Sequence, residues 1–366
     1  MEGDLIKISH SLLPISWIYG AVTATRNWLF ETGVLKSQAY PIPVIGIGNI
    51  TVGGTGKTPH VEYLIRLLSQ HYQVAVLSRG YKRKTSGYIL ATTETRMQDI
   101  GDEPWQVKQK FPDVYVAVDS NRRRGIERLL NDKATSNVEV ILLDDAFQHR
   151  YVKPGCNVLL IDYHRMITDD ALLPAGRLRE SAKGRRRANM VITTKCPSDM
   201  TPMDFRVVQQ SLGLRPFQQL FFSTFRYGDL KGLFNKKTRP LRSLENEEHV
   251  LLLTGIASPE QMMMDLRRFT RHITPVSFAD HHFFSAQDAQ HIEDELRKLS
   301  PPRLIITTEK DASRLRQCPM LSEMVKQCLY VLPIDVEIMR NEQVKFNEQI
   351  IGYVRENPRN SNLAKE

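Results

Sequence analysis

Residues 44–68 read VIGIGNITVGGTGKTPHVEYLIRLL, an apolar run joined to a helix-like segment through a glycine-rich loop. A strand, a tight loop and a helix in this order form the phosphate-binding unit of many parallel α/β proteins. The dinucleotide pattern G-x-G-x-x-G fails, because Thr51 stands where a third glycine would follow Gly46 and Gly48. The stretch therefore predicts a phosphate loop of another kind.

The loop pattern of nucleoside-triphosphate enzymes, G-x-x-x-x-G-K-[ST], fits at its end and departs at its start, where Thr51 replaces the first glycine. Glycines let the backbone turn its N–H groups toward phosphate oxygens, the lysine reaches the β- and γ-phosphates, and the hydroxyl ligates Mg²⁺. Pro59 suits the first turn of the following helix, where a missing N–H is harmless. The predicted nucleotide-binding residues are Thr51, Val52, Gly53, Gly54, Thr55, Gly56, Lys57 and Thr58.

An acidic residue at the end of a second apolar strand completes such a site, because it holds or orients the magnesium ion. The segment VEVILLDDAFQHR at 138–150 places Asp144 and Asp145 in that position. Two adjacent carboxylates are also common at an ordinary polar strand end, but behind a phosphate loop the metal role is favoured. The sequence therefore predicts Mg²⁺ near Thr58, Asp144 and Asp145.

Apolar, β-branched runs alternate with helix-like stretches along the chain, which predicts βαβ units and a mostly parallel sheet flanked by helices. The alternation breaks near 197–220 and resumes with runs such as VLLLTGIA at 250–257. We predict a phosphate-loop α/β domain followed by a second, smaller α/β domain. The boundaries are an N-terminal segment at 1–35, the phosphate-loop domain at 36–220, the smaller domain at 221–352 and a flexible tail at 353–366.

Charge and cysteine content limit the class of partner and the compartment. The chain has 50 Lys and Arg against 41 Asp and Glu, a net charge of +9, which favours an anionic partner such as a nucleotide, a phosphorylated substrate, a nucleic acid or an acidic lipid surface. The four cysteines form no CxxC pair, so a disulfide framework or a zinc site is disfavoured and a reducing cytosolic compartment fits.

The N-terminal segment at 8–25, ISHSLLPISWIYGAVTAT, contains no Lys, Arg, Asp or Glu. It lacks the basic start and cleavage site of a signal peptide, and it is too polar for a confident membrane span. Its apolar residues with basic flanks suit a helix in the membrane interface. A helix packed on the core of the protein fits the segment about equally well, and composition leaves both alternatives open.

Several separated motifs now resemble the tetraacyldisaccharide 4′-kinases of lipid A biosynthesis. They follow the order of that family from about 44 to 315, and Ala146 stands where the family has glycine. The motifs are GNITVGGTGKTP (48–59), LSRGYKRK (77–84), GDEP (101–104), LDDAFQHR (143–150), LLPAGRLRE (172–180), FADHHFFS (278–285) and TTEKDASRL (307–315).

The resemblance implies transfer of the γ-phosphate of ATP to the 4′-hydroxyl of an acylated glucosamine disaccharide 1-phosphate, giving lipid IVA. It also implies a peripheral or monotopic enzyme at the cytoplasmic leaflet of the bacterial inner membrane, with its active site between two α/β domains. This favours the interfacial alternative, so residues 1–35 are expected to form an N-terminal membrane-associated, interfacial helix. ATP and Mg²⁺ are the expected cofactors. Neither a nucleic acid nor an obligate protein partner is expected.

The resemblance also assigns roles to individual residues. Asp102 matches the proposed base, and His281 matches the histidine thought to pair with it, so that the imidazole orients and tunes the carboxylate. From the residues alone, GDEP is equally typical of a turn or helix cap, and the DHH run is equally typical of metal ligands. Lys57 is also expected to be a catalytic residue, and Glu103 is expected to lie in the coordination shell of Mg²⁺. The residues expected to bind substrate are Tyr81, Arg179 and Glu180.

Two other functional classes share parts of this pattern. A nucleotide switch or partitioning ATPase would have the phosphate loop but would not need GDEP together with FADHH. A kinase for a soluble small molecule would not need the apolar N-terminal segment, and detergent dependence of activity separates it from a lipid kinase.

Overall fold

The structure is a computed structural model that describes residues 8–256, 259–280, 282–318 and 320–357. The chain divides into two compact units. The first unit contains the described residues up to Thr224 and those from Val336 onward, and the second contains those of Phe225–Asp335. The second unit is thus inserted between two parts of the first.

The first part of the chain alternates strands and helices as the apolar runs predict. Its elements are α1 (Leu13–Glu31), β1 (Val44–Gly48), α2 (Lys57–Leu68), β2 (Val74–Ser78), β3 (Ile89–Ala91), α3 (Met97–Ile100), α4 (Asp102–Lys110), β4 (Tyr115–Val118), α5 (Arg122–Asn131), β5 (Val140–Asp144), β6 (Cys156–Asp162), β7 (Met190–Thr194), α6 (Pro202–Leu212) and β8 (Gln219–Tyr227). Short 3₁₀ helices lie at His10–Leu12, Lys133–Thr135 and Ala182–Arg187.

The remaining elements continue the chain through the inserted unit and back. They are β9 (Leu230–Gly232), β10 (Thr238–Arg239), a 3₁₀ helix at Leu241–Ser243, β11 (His249–Thr254), α7 (Glu260–Leu266), β12 (Ile273–Ser277), α8 (Ala286–Lys298), β13 (Arg303–Thr308), α9 (Glu309–Leu315), α10 (Glu323–Cys328), β14 (Leu329–Leu332), β15 (Ile334–Ile338) and α11 (Gln343–Arg355).

A nine-stranded sheet in the order β15-β8-β7-β6-β1-β5-β2-β4-β3 forms the centre of the first unit. Strand β1 lies between β5 and β6 and is parallel to both, and β3 pairs antiparallel to β4 at one edge. The register places Ile47 opposite Asp144, so the loop after β1 begins beside the acidic end of β5. The predicted mostly parallel α/β fold is confirmed.

The apolar runs form these strands because almost every side chain on them is buried. Leu77 and Ile141 pack with Ile126 of α5 in one cluster of the first unit. Leu159 packs with Val208 of α6 in a second cluster. Continuous burial on both faces explains why the runs show no polar alternation, as is typical of strands covered by helices on both sides.

The chain returns to the first unit after the insertion. The Met339 N–H donates to the Phe222 carbonyl at 2.8 Å, and α11 buries Phe346, Ile350 and Val354. The predicted boundaries put 221–352 in the smaller domain and began a tail at 353, whereas the compact inserted unit is Phe225–Asp335. The hydrophobic pattern of α11 does not show which sheet the helix packs on. Its place in the first unit could therefore not be predicted from the sequence.

The inserted unit has its own six-stranded sheet, in the order β10-β9-β14-β13-β11-β12. Strands β12, β11, β13 and β14 are parallel, while β9 pairs antiparallel to β14 and to β10. Leu251 and Ile305 pack with Ile292 of α8, which gives this unit a hydrophobic core of its own.

The charge-free N-terminal segment forms α1, a helix with two unlike faces. Ser16 and Phe30 are buried against the rest of the first unit, whereas Trp17 and Ile18 are 71 % and 68 % exposed. The packed face agrees with the alternative of a helix on the core of the protein. The other face carries exposed apolar side chains, and its placement in a membrane interface stays a prediction. Within the described residues, no helix is long and apolar enough to cross a membrane.

Candidate active site

The phosphate loop lies between β1 and α2, at the carboxyl end of a central strand. Gly56 precedes α2 with a φ of 79°, a left-handed conformation that favours glycine and lets the chain turn into the helix. The Asn49 side-chain amide donates to the Thr55 hydroxyl at 2.9 Å, and the Thr194 hydroxyl donates to the Thr55 carbonyl at 2.9 Å. The loop is thus held from within and by the end of β7.

The first half of the loop explains the departure at Thr51. Thr51 forms an antiparallel bridge with Leu178, and the Val52 N–H donates to the Arg177 carbonyl at 2.8 Å. This part of the loop is extended and pairs with a neighbouring segment, so it does not need the conformational freedom of glycine. Threonine, a good strand former, fits there.

Two positively charged side chains, Lys57 and Arg179, lie close to the carboxylate of Asp145 beside the start of α2. The Lys57 Nζ lies 3.7 Å from an Asp145 carboxylate oxygen, and the Arg179 Nη1 lies 3.2 Å from both Asp145 oxygens. Thr58 is the second residue of α2, directly after Lys57. The structure thus brings Lys57, Asp145 and Arg179 together, three residues that the sequence places in three separate motifs.

The adjacent carboxylates Asp144 and Asp145 differ electrostatically. The pKa of Asp144 is raised above its ordinary value, first by burial and then by the nearby charges of Glu103 and Asp145. Burial also opposes ionisation of Asp145, but the positive charges of Lys57 and Arg179 outweigh it and lower its pKa. Asp145 is therefore held by cations of the protein, while Asp144 lies among carboxylates.

The oxygen groups around Asp144 fit a magnesium ion. Among the residues that the structure describes, no three His, Cys, Asp or Glu side chains form a metal-binding cluster. Mg²⁺ does not require one, because it is usually held by one or two carboxylates together with water and substrate phosphates. The pKa of Asp144 is raised mainly by burial and then by the charges of Glu103 and Asp145, while Lys57 and Arg122 act in the opposite direction. Its carboxylate oxygens are of the type that Mg²⁺ binds, and Asp144 stays a predicted metal ligand.

The GDEP motif starts α4, and its backbone lies against the loop after β2. Gly101 has a φ of 93°, and a side chain there would meet the Tyr81 carbonyl oxygen at 2.9 Å. Asp102 is buried and its carboxylate accepts the Glu103 N–H at 3.0 Å, while the Tyr81 side chain is 55 % exposed. The backbones of Asp102, Glu103 and Tyr81 thus lie near one another. The negative charge of Glu103 also contributes to the raised pKa of Asp144, after burial.

Glu180, predicted to bind substrate, is a buried acceptor for groups of the protein itself. Its carboxylate accepts from the Arg187 guanidinium at 2.8 Å, the Gln148 amide at 3.1 Å and the Asn27 amide at 3.3 Å. Only 3 % of Glu180 is exposed. These contacts favour a structural role for Glu180 in holding the segment that carries Arg179.

The sequence missed Arg122, which lies behind the acidic pair. It belongs to the basic run NRRRG at 121–125, a composition typical of a solvated face, yet it is 2 % exposed. Its guanidinium donates to the Asp144 carbonyl at 3.0 Å and the Asp119 carbonyl at 2.8 Å, and burial lowers its pKa to about 10. Nothing in a run of arginines distinguishes the one that points inward.

The histidine motif lies in the inserted unit, and His281 itself is outside the described residues. Asp280 on one side of it pairs with Lys310 at 3.1 Å, and His282 on the other side pairs with Asp288 at 2.9 Å. The proposed partnership of Asp102 and His281 stays a prediction.

Comparison with known proteins decides the family. Residues 8–354 match the family described as tetraacyldisaccharide-1-P 4′-kinase, LpxK. The chain belongs to this family. It is 54 % identical over 366 residues to the tetraacyldisaccharide 4′-kinase of Phocaeicola vulgatus, with all of both chains covered. It is 54 % identical to that of Bacteroides thetaiotaomicron, with 100 % of this chain and 98 % of the relative covered.

A solved structure of LpxK from Aquifex aeolicus in complex with ATP is also similar. It has 29 % sequence identity and a TM-score of 0.69, and the match covers 94 % of this chain and 98 % of that one. The predicted family and the predicted class, an ATP-dependent kinase, are confirmed. Mg²⁺ is the usual metal partner of such kinases.

Proposed function

We propose that this chain transfers the γ-phosphate of ATP to the 4′-hydroxyl of a tetraacyldisaccharide 1-phosphate, a step of lipid A biosynthesis that yields lipid IVA. The observation that carries the proposal is the convergence of Lys57 and Arg179 on Asp145 at the end of a phosphate loop, in a chain of this kinase family. Phosphoryl transfer depends mainly on positioning and on neutralising charge, and this group of side chains supplies both.

Each charged residue has a separate task in this proposal. Residues 51–58 hold the phosphates of ATP, and Lys57 and Arg179 stabilise charge on the transferred phosphoryl group. Asp145 keeps the two cations in place before substrate arrives, so little reorganisation is needed. Asp144 and Thr58 would hold Mg²⁺ with Glu103 nearby, and the metal, when bound, neutralises charge on the β- and γ-phosphates.

A base must accept the proton of the attacking hydroxyl. Asp102 is proposed for this role, since it is a buried carboxylate at the first residue of α4 and belongs to the GDEP motif that resembles the kinase family. The 4′-oxygen attacks the γ-phosphorus, its proton passes to Asp102, and ADP leaves. His281 is proposed to orient Asp102, and Tyr81 to contact the disaccharide.

The enzyme is proposed to act at the cytoplasmic face of the bacterial inner membrane as a peripheral or monotopic protein. The support is the exposed apolar face of α1, where Ile15, Ile18 and Val22 recur at helical spacing and are 53 %, 68 % and 64 % exposed. The net charge of +9 favours binding to anionic headgroups. The proposal includes no nucleic acid and no obligate protein partner.

The test is incubation with γ-labelled ATP, Mg²⁺ and the tetraacylated disaccharide 1-phosphate in detergent micelles. We expect label in the lipid fraction at the 4′ position. The fully deacylated disaccharide is the control substrate, and we expect it to be a much poorer acceptor. Absence of labelled lipid contradicts the proposal, and equal labelling of the deacylated disaccharide favours a kinase for soluble sugars.

A further inference from the structure

Helix α1 carries a row of polar side chains on the face that meets the rest of the first unit. The buried Ser16 hydroxyl donates to the Leu172 carbonyl at 3.0 Å and accepts the Ala175 N–H at 2.9 Å. The Tyr19 hydroxyl donates to the Arg179 carbonyl at 2.8 Å. A helix that served only as a membrane anchor would not need specific hydrogen bonds to a distant segment.

The last contact of this row reaches the buried carboxylate of Glu180. The Asn27 amide donates to one Glu180 oxygen at 3.3 Å, and the Gln148 amide donates to the other at 3.1 Å. The same Gln148 amide donates to the Asn49 carbonyl at 2.7 Å, at the beginning of the phosphate loop. A continuous chain of hydrogen bonds therefore runs from α1 through Glu180 to the loop.

The segment at 172–180 lies between α1 and the phosphate loop, and no regular helix or strand stabilises it. On one side it accepts the hydrogen bonds of Ser16 and Tyr19. On the other side the Arg179 N–H donates to the Ile50 carbonyl at 2.8 Å. Its position is thus determined by contacts from both sides, and loss of one side would leave the segment free to shift.

The Arg179 side chain leaves this segment toward the reacting groups, 3.2 Å from the carboxylate of Asp145. Misplacing a group that stabilises the transition state by about 1 Å can cost roughly 10²-fold in rate. Small changes in the support of Arg179 should therefore appear in kcat.

We infer that Tyr19 and Asn27 are positioning residues for Arg179, so that α1 is part of the catalytic scaffold as well as the surface that meets lipid. The inference rests on the proposed function, because Arg179 is taken to contact the transferred phosphoryl group. Tyr19 acts through the Arg179 backbone, and Asn27 acts through Glu180.

The experiment compares variants on the two faces of α1. The inward variant combines Tyr19→Phe with Asn27→Ala. The matched polar control is Thr25→Val, whose exposed hydroxyl donates to the Ala21 carbonyl of its own helix at 2.8 Å. An outward variant, Trp17→Ala with Trp28→Ala, reports on lipid contact. Each protein is assayed for lipid kinase activity in micelles and for flotation with vesicles containing anionic phospholipid.

We expect the inward variant to lose roughly 10-fold or more in kcat, with little change in the KM values for ATP and lipid and with flotation equal to wild type. Thr25→Val should match wild type in kcat. The outward variant should float less and show a higher KM for the lipid. This separation of kcat from membrane binding distinguishes positioning from anchoring.

Three results overturn the inference. They are an inward variant with wild-type kcat, an inward variant that floats as poorly as the outward one, and a loss of kcat in Thr25→Val as large as that of the inward variant. Tyr19→Phe alone, which removes only a hydroxyl, serves if the double variant fails to fold, and it should still lower kcat. A wild-type protein without lipid kinase activity would instead contradict the proposed function.

Discussion

In each unit a parallel strand leads into a loop at the carboxyl edge of its sheet, and the two loops differ in the groups that they contact. In the first unit, β1 leads into the phosphate loop and the start of α2. In the second unit, β11 leads to Gly255, whose N–H donates to the carboxylate of Asp311 at 2.9 Å. The Thr308 hydroxyl donates to the same carboxylate at 2.8 Å, and Arg314 pairs with it at 3.2 Å.

The comparison shows that the same edge of a parallel sheet can be accessible to an anionic ligand or can be occupied by a carboxylate of the protein itself. In the second unit, the fully buried carboxylate of Asp311 occupies the carboxyl edge of the sheet. This edge therefore contributes to the stability of the protein. The first unit leaves Lys57, Arg179 and Asp145 partly exposed, with side-chain exposures of 14 %, 28 % and 30 %. Groups at the edge, rather than the fold, decide which edge binds a ligand.

The largest expected effect is on stability, from Asp311→Ala in the second unit. Removing the carboxylate breaks the buried ion pair with Arg314 and takes away the acceptor of the Gly255 N–H and the Thr308 hydroxyl, and breaking a buried pair costs about 3–5 kcal/mol. Hydrogen exchange of β11 and β13 should report this loss as faster opening of the inserted unit. ATP affinity should stay near wild type, and a variant with weakened ATP binding and normal exchange would break the comparison.

Lys57→Ala should have the opposite effect, a large loss of activity with little loss of stability. The lysine faces the transferred phosphoryl group in the proposal, and loss of one such electrostatic contact lowers kcat by about 10²–10³-fold. Its thermal unfolding should differ little from wild type, since the ion pair with Asp145 is partly exposed and 3.7 Å long. Near-normal turnover would mean that the loop does not hold the γ-phosphate.

Glu62→Gln sharpens the comparison within the first unit. Glu62 lies on α2 with 1 % of its side chain exposed, and it pairs with Lys110 at 2.6 Å and accepts from the Gln106 amide at 2.9 Å. Like the carboxylate of Asp311, this carboxylate binds side chains of the protein itself. Its loss should therefore lower the free energy of unfolding by about 1–3 kcal/mol. Urea unfolding measures the loss, and calorimetry should give an unchanged Kd for ATP. A large loss of ATP affinity would assign Glu62 to the nucleotide site.

Thr194→Val should have the smallest effect. It removes the hydroxyl that donates to the Thr55 carbonyl and leaves a side chain of similar shape. A hydrogen bond of this kind contributes about 1 kcal/mol, which corresponds to roughly fivefold weaker ATP binding if the loss falls on the loop. Titration with ATP tests this, and Thr193→Val is a neighbouring control on the same strand. Equal effects of the two variants would place the loss in the sheet.

The fold was largely predictable because its strands are covered on both faces. The strands at 44–48, 140–144 and 190–194 are apolar except for Asp144 and the two threonines at the ends of the last two, so their composition predicts that they are buried. The short edge strands β3 and β10 were not predicted. They contain two or three residues each, and their pairing depends on a neighbour rather than on their own pattern.

The contacts of the candidate site could not be predicted from the sequence. Lys57 and Thr58 were proposed because a loop of consecutive residues carries its own signature, and their roles stay predictions. The meeting of Lys57 with Arg179 on Asp145 joins residues more than a hundred positions apart, which no local pattern encodes. The same holds for Glu180, whose motif identified it but whose burial against Asn27 only the folded chain reveals.

The return of the chain to the first unit also determines when that unit can be completed on the ribosome. Strand β15 and helix α11 come from Ile334–Ile338 and Gln343–Arg355, yet they join a sheet whose other strands are synthesised more than a hundred residues earlier. At about 5–20 residues per second, the inserted unit emerges while the edge of β8 still lacks its neighbour. The Tyr353 hydroxyl bonds to the Val44 carbonyl at 3.1 Å, so the last helix also secures the strand that leads into the phosphate loop. Nascent chains arrested before α11 should therefore contain a folded inserted unit and an incomplete first unit.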